Sequence, residues 1–360
     1  MSRIFAFFKK PFIRKYANYI VIALLALTFG VLSATKNLKM GNQFLLEQIG
    51  IAILLAVSLG MVVGFLGELS LGHAGFMCVG AYVGGKLSAV IVEALGVGDS
   101  NLLALLVSLL VGGLAAALFG FIIGLPALRL RGDYLAIVTL AFGEIVRSVV
   151  MNLPAGLFGG TLGLETPRFN RHYLFIVAFL MVLCCLAVTQ NLMRSKHGRA
   201  IIAVKDNEIA ARAMGVDVTK YKLFVFTVSS FFAGMAGVLY SYTQARVQTS
   251  TFSYNYSIEI LVMVVLGGMG SINGSMLAAA LITFLNVKLQ TILTGNLAVL
   301  QKVIYALILI AIVIYKNAPG LKSFREKYNM NTLAAWLKHR FAKKQAEVAT
   351  AGEEVSVDEQ

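Results

Sequence analysis

An acid, a hydroxyl and an imidazole, Glu68, Ser70 and His73, fall inside the run Gly64-Phe65-Leu66-Gly67-Glu68-Leu69-Ser70-Leu71-Gly72-His73-Ala74-Gly75. Apolar sequence surrounds this run on both sides, from 44 to 92. Two readings fit it: a tight turn with glycines that let helices approach closely, or a broken helix lining a path for a polar solute. A second group begins at Leu128-Arg129-Leu130-Arg131-Gly132-Asp133-Tyr134 and continues through Thr139, Gly143, Glu144 and Arg147. Glu144 and Arg147 are spaced to pair on one helix, yet ionisable groups inside apolar segments are also candidates for a functional path. Tyr134, Thr139 and Glu144 join Glu68, Ser70 and His73 as candidate pathway residues.

The third group is a charged island at 191–222, with Arg194, Lys196, Arg199, Lys205, Arg212, Lys220 and Lys222 beside Asp206, Glu208 and Asp217. It encloses Asp206-Asn207-Glu208-Ile209-Ala210-Ala211-Arg212-Ala213-Met214-Gly215. This reads as a short helix with Asp206 as N-cap and Glu208 favoured in the first turn by the helix dipole. Arg212 lies four residues after Glu208, in pairing order, and Gly215 suits the left-handed C-terminal position. A compact helix held on the surface of a membrane protein is a docking surface in outline. The bland alternative is a solvated loop helix.

Other polar positions offer less chemistry. The four histidines do not form a ligand set, and no metal site is expected. Cys78, Cys184 and Cys185 lie in apolar runs and read as small buried hydrophobes. No Gly-x-x-x-x-Gly-Lys-Ser/Thr phosphate loop is present. Gly267 to Ser275 is glycine-rich but lacks the lysine, so any nucleotide-driven step needs another subunit.

The elements that position these groups are membrane helices. The chain is 360 residues long, 58% hydrophobic and 13% charged, with a mean hydropathy of +0.81; soluble domains carry about 25% charged residues. A net charge of +14 could suit nucleic acid, but the basic residues sit in short blocks beside apolar segments. A span needs about 20 mainly apolar residues. Ten are read, at 17–34, 44–66, 72–92, 101–125, 134–151, 172–190, 223–243, 252–269, 272–290 and 298–315. The basic run before 17 resembles a signal peptide, but Leu32 stands where cleavage after Ala34 needs a small residue, so an uncleaved first span is expected.

Basic residues mark the cytoplasmic side. Five lie at 1–16, two at Arg129 and Arg131, seven at 191–222 and eight beyond Tyr315. The expected fold is an all-α polytopic helical bundle of about ten spans with both termini cytoplasmic. It has a cytoplasmic N-terminus at 1–16, a transmembrane domain at 17–316 and a cytoplasmic tail at 317–360 with a disordered end. The eighth span is the weakest, because its clean apolar run is short and Gly267-Gly268-Met269-Gly270-Ser271 follows. A re-entrant loop would explain that pattern. A true crossing keeps the basic tail inside.

Taken in order, Gly67 to Phe76, Leu128 to Leu140, Gly159-Gly160-Thr161-Leu162-Gly163-Leu164, the helix at 206–215 and Leu266 to Ser271 resemble the permease subunits of bacterial branched-chain amino-acid ABC importers, of the LivM type. The resemblance covers about 17 to 320. Two positions depart from it: Glu68 stands where glutamine is usual, and Gly75 where alanine is common. The resemblance implies a multi-pass permease of the bacterial inner membrane, without cofactor or covalent chemistry. It would move branched-chain or related small amino acids inward, and relatives import urea or short amides. Implied partners are a second homologous permease, two cytoplasmic ATPases, an extracytoplasmic substrate-binding protein and the lipid bilayer, with no nucleic acid. Such permeases dock on the ATPase through a helix of pattern Glu-Ala-Ala-x-x-x-Gly. Here Ala210-Ala211-Arg212-Ala213-Met214-Gly215 matches the latter part and Glu208 is displaced by one residue. Asp206, Glu208, Ala210, Ala211, Arg212 and Gly215 are therefore the expected coupling residues. Two rivals remain: an ion-driven secondary transporter using Glu68, His73 and Glu144 as a relay, and a membrane scaffold that transports nothing.

Overall fold

The computed structural model describes residues 40–96 and 101–292 apart from 131, 168 and 170, together with the helical positions 28, 303–307, 310, 311 and 314. The chain divides into two units, Met1–Ala298 and Val299–Gln360. In the second unit, 303–307 is helical, with Val303 and Leu307 exposed. The expected spans at 17–34 and 298–315, and both termini, lie mostly or wholly outside the described residues.

The first unit is built from ten helices among the described residues: α1 (Met40–Gly60), α2 (His73–Leu95), α3 (Leu102–Ala127), α4 (Asp133–Asn152), α5 (Arg171–Arg194), α6 (Lys196–Asp206), α7 (Glu208–Ala213), α8 (Val218–Thr243), α9 (Tyr254–Gly267) and α10 (Ile272–Ile292). Two single helical turns, at Ala155–Phe158 and Gly160–Leu162, interrupt the connection from α4 to α5. Seven of the ten, α1 to α5, α8 and α10, are long and apolar enough to cross a membrane. They match seven of the expected spans.

Burial sorts these helices into centre and rim. The apolar stretch of α1 is 89% buried, whereas α4 and α10 are each 28% buried. α8 packs against α1, α2 and α3. Small residues bring these backbones together: a Cβ added at Gly237 of α8 would run into the Met77 carbonyl of α2. Close backbone approach of this kind replaces the hydrophobic drive that lipid cannot supply. At one end of the bundle, a two-residue antiparallel ladder pairs β1 (Leu164–Glu165) with β2 (Arg246–Val247), and Glu165 pairs with Arg246. The Tyr82 hydroxyl donates to the Val247 carbonyl at 3.0 Å from below.

The other end holds the glycine-rich run. α1 continues as six residues of π-helix, Met61–Leu66, and stops at Gly67 with φ +80°. The wider π winding ends helices where backbone is re-aimed. Residues 67–72 then turn the chain, and α2 starts at His73. The run is a turn between two spans, with polar groups held by protein on several sides.

The expected span at 252–269 is a 14-residue helix, α9. At 1.5 Å per residue it covers ~21 Å, short of the ~30 Å hydrocarbon core. Gly268 and Gly270, at φ +100° and +85°, turn the chain into α10. This turn lies against the end of α1, because a Cβ on Gly64 would come within 2.7 Å of the Gly270 nitrogen. Of the three cysteines, Cys78 and Cys185 are buried, but Cys184 is exposed. Neighbours in sequence on a helix point in different directions, so an apolar run does not bury both.

Candidate functional site

The short helix begins one residue later than its sequence suggests. Asp206 is the last residue of α6, and Asn207 breaks the helix with extended backbone at φ −157°. Asn207 Oδ1 accepts from the Ala210 amide at 3.0 Å, so Asn207, not Asp206, is the N-cap of α7. Both side chains can cap; the continuation of α6 through Asp206 decides between them. The C-terminus is as expected, with Gly215 at φ +81° and the Val216 amide donating to the Ala211 carbonyl at 3.0 Å. The Glu208–Arg212 pair forms at 3.0 Å.

Ala211 turns inward at 5% exposure, while Ile209 and Met214 stand out at 73% and 84%. Ala210, Arg212 and Gly215 are exposed as well. The outward face of α7 therefore carries Ile209 and Met214, which the alanine pattern did not single out.

Beneath α7 lies a buried cation that sequence reasoning missed. Lys222, in the second turn of α8, is 3% exposed. Its ammonium contacts the Glu68 carboxylate and lies 3.2 Å from Glu208 Oε2. The Glu68 and Glu208 side chains are themselves only 12% and 22% exposed. Charge so far from water persists only when paired and hydrogen-bonded. A second lysine makes a parallel tie: Lys205 Nζ donates to the Gly64 carbonyl within the π turn at 2.7 Å. Through Lys222 and Lys205, the α6–α7 segment is joined to the end of α1. One signal in the sequence pointed this way: Lys222 is the last charge before the apolar run of α8, and Glu68 is a lone acid at the end of another such run.

The remaining pathway candidates are held separately. His73 Nε2 lies 2.8 Å from Ser58 Oγ, and that hydroxyl donates to the Leu55 carbonyl at 2.9 Å. The imidazole accordingly donates from Nε2. Ser229 Oγ donates to the Ser58 carbonyl at 2.7 Å, which ties α8 to the same point. Ser70 is buried, and its hydroxyl makes no hydrogen bond among the described residues. Thr139 Oγ1 accepts from the Leu71 amide at 3.0 Å, and Ser257 Oγ accepts from the Ala74 amide at 3.1 Å. These hydroxyls satisfy amides at the start of α2 that no helical carbonyl can reach. Tyr134 is 71% exposed on the rim.

Glu144 pairs with Arg147, whose Nε lies 2.8 Å away, and its other oxygen accepts from the Tyr254 amide at 2.8 Å. Glu144 sits midway along α4 and caps the start of α9 at a part-exposed position. Glu68, His73 and Glu144 thus have three separate sets of partners, and no hydrogen-bonded chain joins them among the described residues.

A family model described as the permease component of branched-chain amino acid transport systems matches residues 41–313. The chain belongs to that family. It is 39% identical over 263 residues to the high-affinity branched-chain amino acid transport permease LivM of Salmonella typhimurium, across 64% of this chain and 60% of that protein. It is 26% identical over 256 residues to a probable LivM permease of Methanocaldococcus jannaschii, across 62% of this chain and 74% of that protein. A ribose import permease, RbsC of Haemophilus influenzae, is 32% identical over 130 residues, across 35% of this chain and 40% of that protein. The match thus spans about 60% of the LivM protein from Salmonella. No solved structure matches the chain. The family match takes in all seven long apolar helices, the α6–α7 segment and the Lys222 cluster. Among the described residues, no group of three His, Cys, Asp or Glu side chains is placed to hold a metal ion.

Proposed function

We propose that this chain is the membrane-spanning permease subunit of an ABC importer that carries branched-chain amino acids, or related small amino acids, into the bacterial cytoplasm. It performs no covalent chemistry. In this reading it lies in the inner membrane with both termini cytoplasmic, pairs with a second permease and receives substrate from an extracytoplasmic binding protein. One of the two ATPases docks on the α6–α7 segment, through α7 and its neighbours Asp206 and Gly215. The observation that supports this reading best is the Lys222 bridge between Glu208 of α7 and Glu68 at the end of α1. A push on α7 would reach the core through paired charges and not through a loose loop. Urea or a short amide is the alternative cargo.

The test is uptake in proteoliposomes that hold the chain, its partner permease, the ATPase and the binding protein. Radiolabelled leucine should enter only with internal ATP, and uptake should persist when proton and sodium gradients are collapsed. Leucine uptake driven by an ion gradient with no ATPase present would instead establish the secondary-transporter reading. The separate partners of Glu68, His73 and Glu144 give that rival no relay to use.

A further inference from the structure

A groove of about 740 Å³ runs along α8 beside α3, at the end of the bundle that carries α7. Its wall changes character along its length. His197 of α6 and Asp217, Lys220 and Tyr221 at the start of α8 form one end. Leu223 and Phe224 of α8 and Phe121 of α3 form the other. Lys220, Phe224 and Thr227 follow one another on a single helical face. At 1.5 Å per residue the groove therefore reaches ~10 Å along α8 from Lys220 to Thr227.

The polar end holds an acid and a base within one turn. Asp217 Oδ1 accepts from the Lys220 amide at 3.1 Å, which fixes the acid at the first turn of α8. His197 Nδ1 lies 3.3 Å from the Tyr221 hydroxyl, so α6 meets α8 at the same point. The apolar end opens outward. Phe121 and Phe224 are 44% and 47% exposed, and Leu118, Ile122 and Leu125 are exposed beside Phe121 on α3. This is the apolar surface that a membrane helix turns to lipid.

A wall that passes from opposite charges to aromatic and branched side chains matches a guest with a zwitterionic head and an apolar chain. A small polar solute would leave the aromatic part unused. A water-soluble protein could cover the polar end but could not follow the groove into the lipid layer. An anionic head would meet Asp217 as well as Lys220. A quaternary ammonium would give the Asp217 carboxylate no N–H to accept.

We propose that this groove binds one glycerophospholipid with a primary-ammonium head group, of the phosphatidylethanolamine kind. Its phosphate lies on Lys220 and the Tyr221 hydroxyl, its ammonium on Asp217, and one acyl chain over Phe121, Leu223 and Phe224. Gly215 and Val216 also line the groove, so the bound head group braces the joint between α7 and α8. The site is independent of which solute the chain carries.

The experiment uses tryptophan quenching by lipids with brominated acyl chains, with the full chain reconstituted in mixed bilayers. Trp336→Phe removes the one native tryptophan. In that background Phe224→Trp reports on the groove and Leu114→Trp on the open face of α3. At Phe224→Trp, phosphatidylethanolamine should bind about fivefold more strongly than phosphatidylcholine, the upper range for exposed ion pairs. At Leu114→Trp the two lipids should bind equally. Lys220→Gln and Asp217→Asn should each bring the groove's preference towards one. Asparagine still caps α8 and Lys220 is exposed, so both variants should keep the gel-filtration profile of the parent. Equal binding of the two lipids at Phe224→Trp, or the same preference at Leu114→Trp, overturns the site. So does a preference that survives both charge variants, or phosphatidylglycerol bound as tightly as phosphatidylethanolamine. An indole at 224 that no lipid quenches would show that protein covers the groove, and the site falls.

Discussion

Lys222 answers to two carboxylates from opposite directions in the chain, Glu68 and Glu208, and at 3% exposure it has almost no water to share them with. Lys222→Met leaves Glu68 without its cation and Glu208 with Arg212. It should lower unfolding stability by about 2–3 kcal/mol, less than a fully buried pair because Glu208 retains Arg212. Thermal unfolding of the detergent-solubilised protein measures this. ATP hydrolysis stimulated by loaded binding protein should also fall in the variant. Glu68→Gln is milder, since an amide oxygen can still accept from the lysine; a loss of about 1 kcal/mol with transport preserved is expected. Loss of transport in Glu68→Gln, measured as leucine uptake, would show that the charge itself is needed. The sequence showed the Glu208–Arg212 spacing plainly, because helical periodicity reveals neighbours four residues apart. It did not show the Glu68–Lys222 contact, because those residues are 154 apart in sequence and only the packing of α1 on α8 joins them.

At the scale of the element, α7 turns Ala211 to the protein and leaves Ile209 and Met214 exposed. Ile209→Asp places a carboxylate on the outward face. It should leave expression and melting temperature near wild type while abolishing substrate-stimulated ATP hydrolysis, because a charge buried unpaired at a docked contact costs several kcal/mol. Ala211→Asp tests the other face, and it should destabilise the protein even without any ATPase. Equal melting temperatures for the two variants would contradict the orientation of the helix. Seven of the ten expected spans were legible from apolar length alone, and the island from its charges. Three features were not. The six-residue π winding leaves no mark in composition. The cap moved from Asp206 to Asn207 because two capable residues stand side by side. The true length of α9 was hidden because the apolar character of 252–269 runs beyond its helical ends.

For the whole molecule, the outer surfaces differ in character. α3 shows lipid-like side chains throughout, with a mean hydropathy of 2.6 in its most apolar stretch. α4, at 1.7, is less apolar and leaves the side chains of Arg147 and Glu144 31% and 28% exposed, on the side of the helix that also exposes Ile137. Lipid tolerates the first surface better, and a second permease or a water path tolerates the second. Cysteine at Ile137 should therefore cross-link to the partner permease in native membranes, while cysteine at Leu114 of α3 should not. The reverse pattern would place the partner on α3. The composition of the chain announced a polytopic membrane protein at once. Which apolar faces meet lipid and which meet protein is a property of the assembled bundle, and single-helix periodicity carries little of it.

The shortness of α9 also bears on how the chain is made. Fourteen residues give a newly synthesised segment too little apolar length to stay in a bilayer unaided. Its first amide is satisfied by Glu144, on a helix that leaves the ribosome much earlier. α9 must therefore be a late passenger, accepted only when α4 is already in place and α10 emerges behind it. A fragment of 244–292 expressed alone should insert α10 and leave α9 open to added protease. Co-expression with 40–243 should protect it, and Glu144→Ala in that larger fragment should remove part of the protection.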